Sequence, residues 1–156
     1  MKFSDFVLVE SVVPQLAATS KEGVVREMVQ SLSAAGGFPE AEAENIVTAI
    51  MRREELGTTG IGNGIAVPHA KHISVERLIC CVAISEDGVD FDSLDCEKVH
   101  LFFMLVSPPD RPGEHLRALE HITIHLKREA FCTNLMKAAS QEEIKALLDE
   151  ADGNAS

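Results

Sequence analysis

The sequence contains no tryptophan and no tyrosine, and its aromatic side chains are seven phenylalanines in 156 residues. Basic residues are also few: 14 Lys and Arg stand against 25 Asp and Glu, which gives a formal net charge of −11 at pH 7. A protein that binds nucleic acid normally has a basic surface for the phosphates and often aromatic side chains on which bases stack. The composition therefore argues against a nucleic-acid partner.

Long apolar runs are missing as well. The most apolar run, 101–106, is far shorter than the roughly 20 residues that a membrane-spanning helix needs. The first five residues lack the basic start and the apolar stretch of a signal peptide. None of the four cysteines belongs to a Cys-x-x-Cys pair. We expect no membrane span, and we interpret the cysteines as reduced thiols of a cytoplasmic protein.

What is present is an ordinary globular composition, with 46% hydrophobic and 25% charged residues. It predicts a single domain at 1–150 and a loose C-terminal tail at 151–156. Capping boxes, apolar residues at helical spacing and short apolar runs predict helices that alternate with strands, which is typical of a layered α/β domain. The predicted helices are 19–35, 39–56, 112–128, 131–139 and 140–148, the predicted strands are 78–84 and 99–106, and a turn is predicted at 86–88.

The segment from Gly57 to His69 is the most informative part of the chain. It carries glycines at 57, 60, 62 and 64 and then the sequence Val-Pro-His at 67–69. The segment is not a P-loop, because no Gly-Lys-Ser/Thr follows the glycines. It is not a dinucleotide-binding fingerprint either, since the glycine spacing differs and no helix begins after it. No nucleotide site is expected here.

A histidine beside this loop indicates phosphoryl chemistry. Gly60, Gly62, Asn63 and Gly64 carry backbone N–H groups that can form a phosphate-cradling concavity. The neutral imidazole of His69 is a good nucleophile near pH 7. The residues alone leave a second interpretation open, in which His69 is a surface histidine that follows a turn.

Two other histidines lie four residues apart in a predicted helix. His121 and His125 have the spacing that allows two ligands on one metal ion. A structural or catalytic zinc site needs three or four protein ligands, and no His-Glu-x-x-His pattern accompanies this pair. No metal site is therefore expected.

The run from Arg53 to His69, REELGTTGIGNGIAVPH, resembles the signature of a known family. It is similar to the fructose/mannitol/nitrogen-type EIIA domains of the bacterial phosphoenolpyruvate-dependent phosphotransferase system (PTS). The resemblance covers nearly the whole chain and includes the later motif Glu114-His115-Leu116. It implies an α/β fold with a mixed β-sheet flanked by helices on both faces. The glycine loop, Arg53 and His115 would converge on a pocket at the edge of this sheet.

The same resemblance implies roles for individual residues. His69 would accept a phosphoryl group from the phosphocarrier HPr or a nitrogen-type paralogue, with Arg53 and His115 as the other active-site residues and with no cofactor. Without the resemblance, Arg53 is better explained as a cation at the C-terminus of its helix. The carrier would dock on an apolar surface around the pocket, for which Ile61, Ile65 and Val67 are candidates, although each could equally belong to the core.

The sequence is compatible with more than one branch of the family. The length of the chain favours a nitrogen-regulatory IIA protein, whose phosphorylation state would signal to regulatory protein targets. A sugar-specific IIA component of the fructose/mannitol class, which donates its phosphoryl group to a IIB domain, is one alternative. A regulatory docking module that relays no phosphate is another. The oligomeric state, including a homodimer, is left open.

Overall fold

At the centre of the computed structural model, which describes residues 1–153, lies a five-stranded mixed sheet. Its strands are β1 (Gly60–Gly62), β2 (Ile65–Ala66), β3 (His69–Lys71), β4 (Ile79–Val89) and β5 (Val99–Ser107). The α-helices of the described residues are α1 (Lys21–Ala34), α2 (Ala43–Leu56), α3 (Pro112–Leu126), α4 (Glu129–Lys137) and α5 (Gln141–Ala151). Short 3-10 turns lie at Phe3–Asp5, Val9–Ser11 and Glu40–Glu42.

Strand β5 is the middle strand and pairs along both of its edges. Strand β4 lies antiparallel on one edge. On the other edge β2 and then β3 run parallel to β5, with Ile65 opposite Leu101 and His69 opposite Leu105. Strand β1 extends the sheet as a hairpin with β2, and the N-terminal segment bridges the outer edge of β4. This topology places His69 on a short strand beside β5, in which every residue but His100 is buried.

Helices cover both faces of the sheet, as the resemblance to the family implies. Successive side chains of a strand point to opposite faces, so β4 and β5 contribute to two separate apolar clusters. Helices α1 and α2 pack on the face that carries Phe102 and Met104. Helices α3, α4 and α5 pack on the face that carries Phe103 and Leu105. The predicted fold class is confirmed.

Several predicted boundaries differ from the structure. The N-cap of α1 is Ser20 rather than Thr19, because the Ser20 hydroxyl accepts a hydrogen bond from the Gly23 amide at 3.1 Å. A 3-10 turn precedes α2, which begins at Ala43 instead of Pro39. The last helix continues past Leu148 to Ala151, and residues 154–156 of the predicted tail lie outside the described residues.

The turn predicted at 86–88 was wrong. These residues belong to β4, which continues to Val89 after a shift in its register with β5. Gly88 has a φ of +82°, and a Cβ there would lie only 2.8 Å from the ring of His100. The glycine therefore serves a bulge within a strand against which His100 packs, and not a chain reversal.

No helix within residues 1–153 has both the length and the apolar character that crossing a membrane requires.

The two ends of the described chain are joined by one carboxylate. Asp152 follows α5 and accepts hydrogen bonds from the amides of Phe3 at 2.7 Å and Ser4 at 3.0 Å. Asp152→Ala is expected to lower the free energy of unfolding by about 2 kcal/mol. The reason is that two hydrogen bonds to a charged acceptor are lost and the two backbone amides no longer have that acceptor. Urea unfolding measures this change. Glu150→Ala, an exposed acid of the same helix, is the control, and equal stability of the two variants would contradict the prediction.

Candidate active site

His69 begins β3, directly after the Val67-Pro68 segment that separates β2 from β3. Its Nδ1 lies 2.8 Å from the carbonyl oxygen of Val67. A carbonyl oxygen only accepts hydrogen bonds, so Nδ1 carries the proton and the lone pair of the neutral ring is on Nε2. Nε2 has no hydrogen-bond partner among residues 1–153. The backbone thus selects one tautomer and presents the nucleophilic nitrogen of His69.

A second imidazole lies beside the first. His115 is in the first turns of α3, and its ring centroid is 5.5 Å from that of His69. Only 7% of His115 is exposed, and its Nδ1 is hydrogen-bonded to the hydroxyl of Ser107, the last residue of β5. Burial lowers the pKa of His115 to about 4, and positive charge on His69 and Lys71 adds to this effect. His115 is therefore neutral near pH 7.

The surroundings of His69 also favour its neutral form. Burial is the main cause that lowers the pKa of His69 below its ordinary value. The hydrogen bond to Val67 opposes this effect, while the charge of Arg53 lowers the pKa further. A smaller upward contribution comes from the Glu54 carboxylate, and a smaller downward one from Lys71. The ring remains an uncharged nucleophile at neutral pH.

Arg53 comes from the last turn of α2 and lines the same pocket. Its Nη1 donates a hydrogen bond of 2.8 Å to the carbonyl of Gly57, the residue that ends the helix. The structural role foreseen for a cation at this helix end is therefore present. A guanidinium has five N–H donors, so this bond leaves others for an anion.

The pocket has a volume of about 750 Å³. Its charged side chains are the cations Arg52, Arg53 and Lys71 and one carboxylate, Glu55, so the lining is net positive in a protein whose net charge is −11. Leu56 and Leu119 add apolar surface, and Leu56 is 86% exposed. A cationic rim around two neutral imidazoles is an environment suited to nucleophilic attack on an anionic group.

The structure does not bring the predicted phosphate cradle to this pocket. Asn63 and Gly64 both have positive φ, at 57° and 79°, as the two central residues of a type I′ hairpin turn require. The Asn63 amide donates to the carboxylate of Asp95 at 3.0 Å, and the Gly60 amide donates to the Thr58 hydroxyl at 3.0 Å. The loop does hold an anion, but that anion is a side chain of the protein itself.

This hairpin lies at a different depression, of about 840 Å³, between the glycine turn and helices α3 and α4. Ile61, Gly62 and Asn63 line it, and Gly60 and Gly64 line neither depression. The candidates for an apolar docking surface are also displaced. Ile65 and Val67 are buried in the core, and Ile61 lines this second depression.

The remaining histidine pair belongs to the packing of the chain ends. His121 and His125 lie on α3 with ring centroids 4.6 Å apart, and both pack against Phe3. Within the described part of the chain, no group of three or more His, Cys, Asp or Glu side chains is arranged to hold a metal ion.

The residues near the site that the sequence analysis missed include Arg52, Glu54, Glu55, Lys71 and Ser107. Lys71 had a detectable signal, because it is two residues after His69 and residues two apart share one side of a strand. Ser107 had none, since its contact with His115 depends on how α3 returns to the end of β5.

Comparisons with known proteins identify the family of the chain. The chain matches the model of the family described as "Phosphoenolpyruvate-dependent sugar phosphotransferase system, EIIA 2" over residues 5–151. It is 35% identical over 152 residues to the PTS system fructose-specific EIIABC component of Bacillus subtilis. The match includes 97% of this chain but only 24% of that longer protein. It is 29% identical over 148 residues to the nitrogen regulatory protein of Bradyrhizobium diazoefficiens, which covers 95% of each.

Solved structures show the same fold. The nitrogen regulatory protein IIA-Ntr from Neisseria meningitidis matches with a TM-score of 0.84 and 27% identity, over 94% of this chain and 98% of that one. Enzyme IIA-mannitol, in its complex with phosphorylated enzyme IIB-mannitol from Escherichia coli, matches with a TM-score of 0.75 and 23% identity, over 90% and 95%. The chain therefore belongs to the EIIA 2 family of the phosphoenolpyruvate-dependent sugar phosphotransferase system.

Proposed function

We propose that His69 accepts a phosphoryl group from HPr or a nitrogen-type paralogue, and that the protein relays this group or signals by its phosphorylation state. The observation that carries the proposal is the fixed tautomer of His69. Its Nδ1–H is held by the Val67 carbonyl at 2.8 Å, which leaves the Nε2 lone pair for attack beside Arg53 and His115. Phosphoryl transfer depends mainly on such positioning and on electrostatic stabilisation.

The step itself needs no cofactor. The Nε2 lone pair attacks the phosphorus of the carrier's phosphohistidine, a P–Nε2 bond forms, and the P–N bond of the donor breaks. The electron pair of that bond returns to the imidazole of the donor. Nδ1 of His69 keeps its proton, and the hydrogen bond to Val67 stabilises the positive charge that develops on the ring. No metal ion takes part in this step.

Three side chains stabilise the phosphoryl oxygens in this scheme. Arg53 uses the guanidinium donors that remain after its bond to Gly57. His115 donates from Nε2 in this scheme, in the tautomer in which its Nδ1 accepts the hydrogen bond from the Ser107 hydroxyl. Lys71 adds a positive charge at the wall of the pocket. Leu56, which is exposed on the rim, would contact the docked carrier.

Two downstream roles are compatible with the site. The whole-length match to the nitrogen regulatory protein of Bradyrhizobium and the match to IIA-Ntr of Neisseria favour the nitrogen-regulatory role. The match to the fructose-specific component of Bacillus subtilis favours a sugar-specific role, in which a IIB domain receives the phosphoryl group. We place the nitrogen-regulatory role first, with regulatory proteins as targets.

The test is a reconstituted relay. The purified protein is incubated with phosphoenolpyruvate, enzyme I, and either HPr or its nitrogen paralogue, and the acid-labile mass gain of about 80 Da from one phosphoryl group is mapped to a residue. Labelling of His69 by the nitrogen paralogue in preference to HPr supports the first role. Labelling by HPr and transfer onward to a fructose-class IIB domain supports the second. A folded protein that neither carrier labels would favour a docking module that relays no phosphate.

The pH profile of the transfer follows from the neutral state of His69. Because the pKa of His69 is lowered from 6.5, more than half of the rings are still the nucleophilic neutral form at pH 6.5, and the midpoint of their protonation lies below that pH. We therefore expect the rate of labelling to fall to half of its maximum only below pH 6.5. Single-turnover rates and an NMR titration of the His69 ring measure this, and a midpoint above 6.5 in the titration would contradict the prediction.

A further inference from the structure

One buried carboxylate, that of Glu54, holds the segment that leads from α2 toward His69. Glu54 is 6% exposed and accepts hydrogen bonds from both the amide and the hydroxyl of Thr59, the former at 3.2 Å. It also pairs with the ammonium group of Lys21 at 2.9 Å. Lys21 is fixed in turn, since its ammonium lies 4.8 Å from the centre of the Phe91 ring. A buried charge with this many partners allows little movement of the groups it contacts.

A chain of hydrogen bonds leads from Glu54 to the acceptor imidazole. Glu54 holds the amide of Thr59, and the carbonyl of Thr59 accepts a bond of 3.0 Å from the Val67 amide. The carbonyl of Val67 accepts the bond of 2.8 Å from Nδ1 of His69. The position of the Glu54 carboxylate is thereby transmitted to the peptide group that sets the tautomer and orientation of the His69 ring.

A second chain leads from Glu54 to the arginine. The backbone carbonyl of Glu54 accepts a bond of 3.1 Å from the Gly57 amide, and the Gly57 carbonyl accepts the bond of 2.8 Å from Arg53. The short segment between Glu54 and Thr59 is thus held by the main chain of Glu54 at one end and by its side chain at the other. The anchor of the Arg53 guanidinium lies within this segment.

We propose that Glu54 is a positioning residue for phosphoryl transfer, which orients His69 and Arg53 through the segment 57–59. This inference rests on the function proposed above and deepens it. Glu54 does not contact the phosphoryl group; it fixes the two groups that do. The alternative is that Glu54 and Lys21 form a buried ion pair that contributes only to stability.

The experiment compares three variants in single-turnover transfer from the phosphorylated carrier. Glu54→Gln removes the charge and one acceptor oxygen, and its rate is expected to fall between about 10- and 100-fold, as small displacements of reacting groups produce. Thr59→Val removes only the hydroxyl bond to Glu54 and should give a smaller decrease. Glu142→Gln, the same change at an exposed residue of α5, is the control and should transfer at the rate of the unmodified protein.

Two further readouts separate positioning from stability. The ¹⁵N shifts of His69 in the unphosphorylated protein should show the Nδ1–H tautomer, and in Glu54→Gln a mixture of tautomers. In an Arg53→Ala background, Glu54→Gln should slow transfer much less than it does in the unmodified protein, because residues that act through one another are not additive.

The outcomes are distinguishable. If the unmodified protein is labelled at His69, rates and tautomer populations that stay unchanged in both variants overturn the proposal. The proposal is also overturned, in favour of the stability role, by a different result for Glu54→Gln. In that result transfer is slow, the His69 tautomer is unchanged, and the effects of Glu54→Gln and Arg53→Ala on the rate are additive. If Glu54→Gln does not fold, Thr59→Val decides by the same two readouts. If the unmodified protein is not labelled, the proposed function fails. The positioning role of Glu54 is then tested by NMR alone, and an unchanged His69 tautomer in both variants would overturn it.

Discussion

Replacement of His69 by alanine is expected to abolish labelling of the protein by the phosphorylated carrier while the fold is kept. The reason is that Nε2 of His69 is the atom that forms the bond to phosphorus, and no neighbouring group can replace it. His115 is the other imidazole of the pocket, but its Nδ1 is engaged by Ser107 and it is 7% exposed. Mass spectrometry should find no acid-labile gain of about 80 Da, the mass of a phosphoryl group.

A matched control lies three residues away. His72→Ala removes an imidazole that contacts Ser74 at 2.7 Å and does not line the pocket, and this variant should be labelled at the normal rate. His69 is half-buried, so circular dichroism and urea unfolding of both variants establish that they are folded. Labelling of a folded His69→Ala protein at another residue would show that His69 is not the acceptor.

The sequence predicts most of the architecture because its strongest patterns coincide with burial. Strands β4 and β5 are covered on both faces, so they appear as unbroken apolar runs at 79–84 and 101–106. Helices α1, α2 and α3 each bury one face and show apolar residues at helical spacing. The local sequence led to a wrong prediction where tertiary packing determines the conformation. The glycine at 88 predicted a turn, but its positive φ belongs to a bulge within β4 that packs against His100.

The site was less predictable than the fold. His69, Arg53 and His115 follow from the resemblance to the family, and the structure brings them to one pocket. The glycine loop misled, because Asn63-Gly64 is also the preferred sequence of a two-residue hairpin turn, and this is the structure that it adopts. The loop's anion, Asp95, lies 32 positions further along the chain, so no local pattern could identify it.

Glu54 and Ser107 could not be identified for a related reason. Glu54 stands between Arg53 and Glu55 in a helix end rich in charge, where an acid is normally solvated. Its burial depends on Lys21 and Thr59, which reach it from the start of α1 and from the loop after α2. Residues that support a site through such distant contacts leave no spacing in the sequence that a reader could recognise.

Replacement of Arg53 by alanine is expected to slow transfer to His69 by about 10²- to 10³-fold, the usual loss when one donor to a developing negative charge is removed. Arg53→Lys should recover only part of this rate, because an ammonium group lacks the planar fork that can bind two phosphoryl oxygens and also reach Gly57. Rapid-quench measurement of a single turnover gives the rate for each variant.

Two roles of Arg53 predict different results, and the bond to Gly57 makes the distinction necessary. If Arg53 acted only as a cation at the end of α2, its removal would cost about 0.3–1 kcal/mol of stability and leave the rate of transfer unchanged. Lys137→Ala is the matched control, since Lys137 is a basic residue in the last turn of α4 and does not line the pocket. A comparable small loss of stability in both variants, with slow transfer in Arg53→Ala alone, assigns the guanidinium to the phosphoryl group. Equal transfer rates in the two variants would reject that role, and the cation at the helix end would then be the whole function of Arg53.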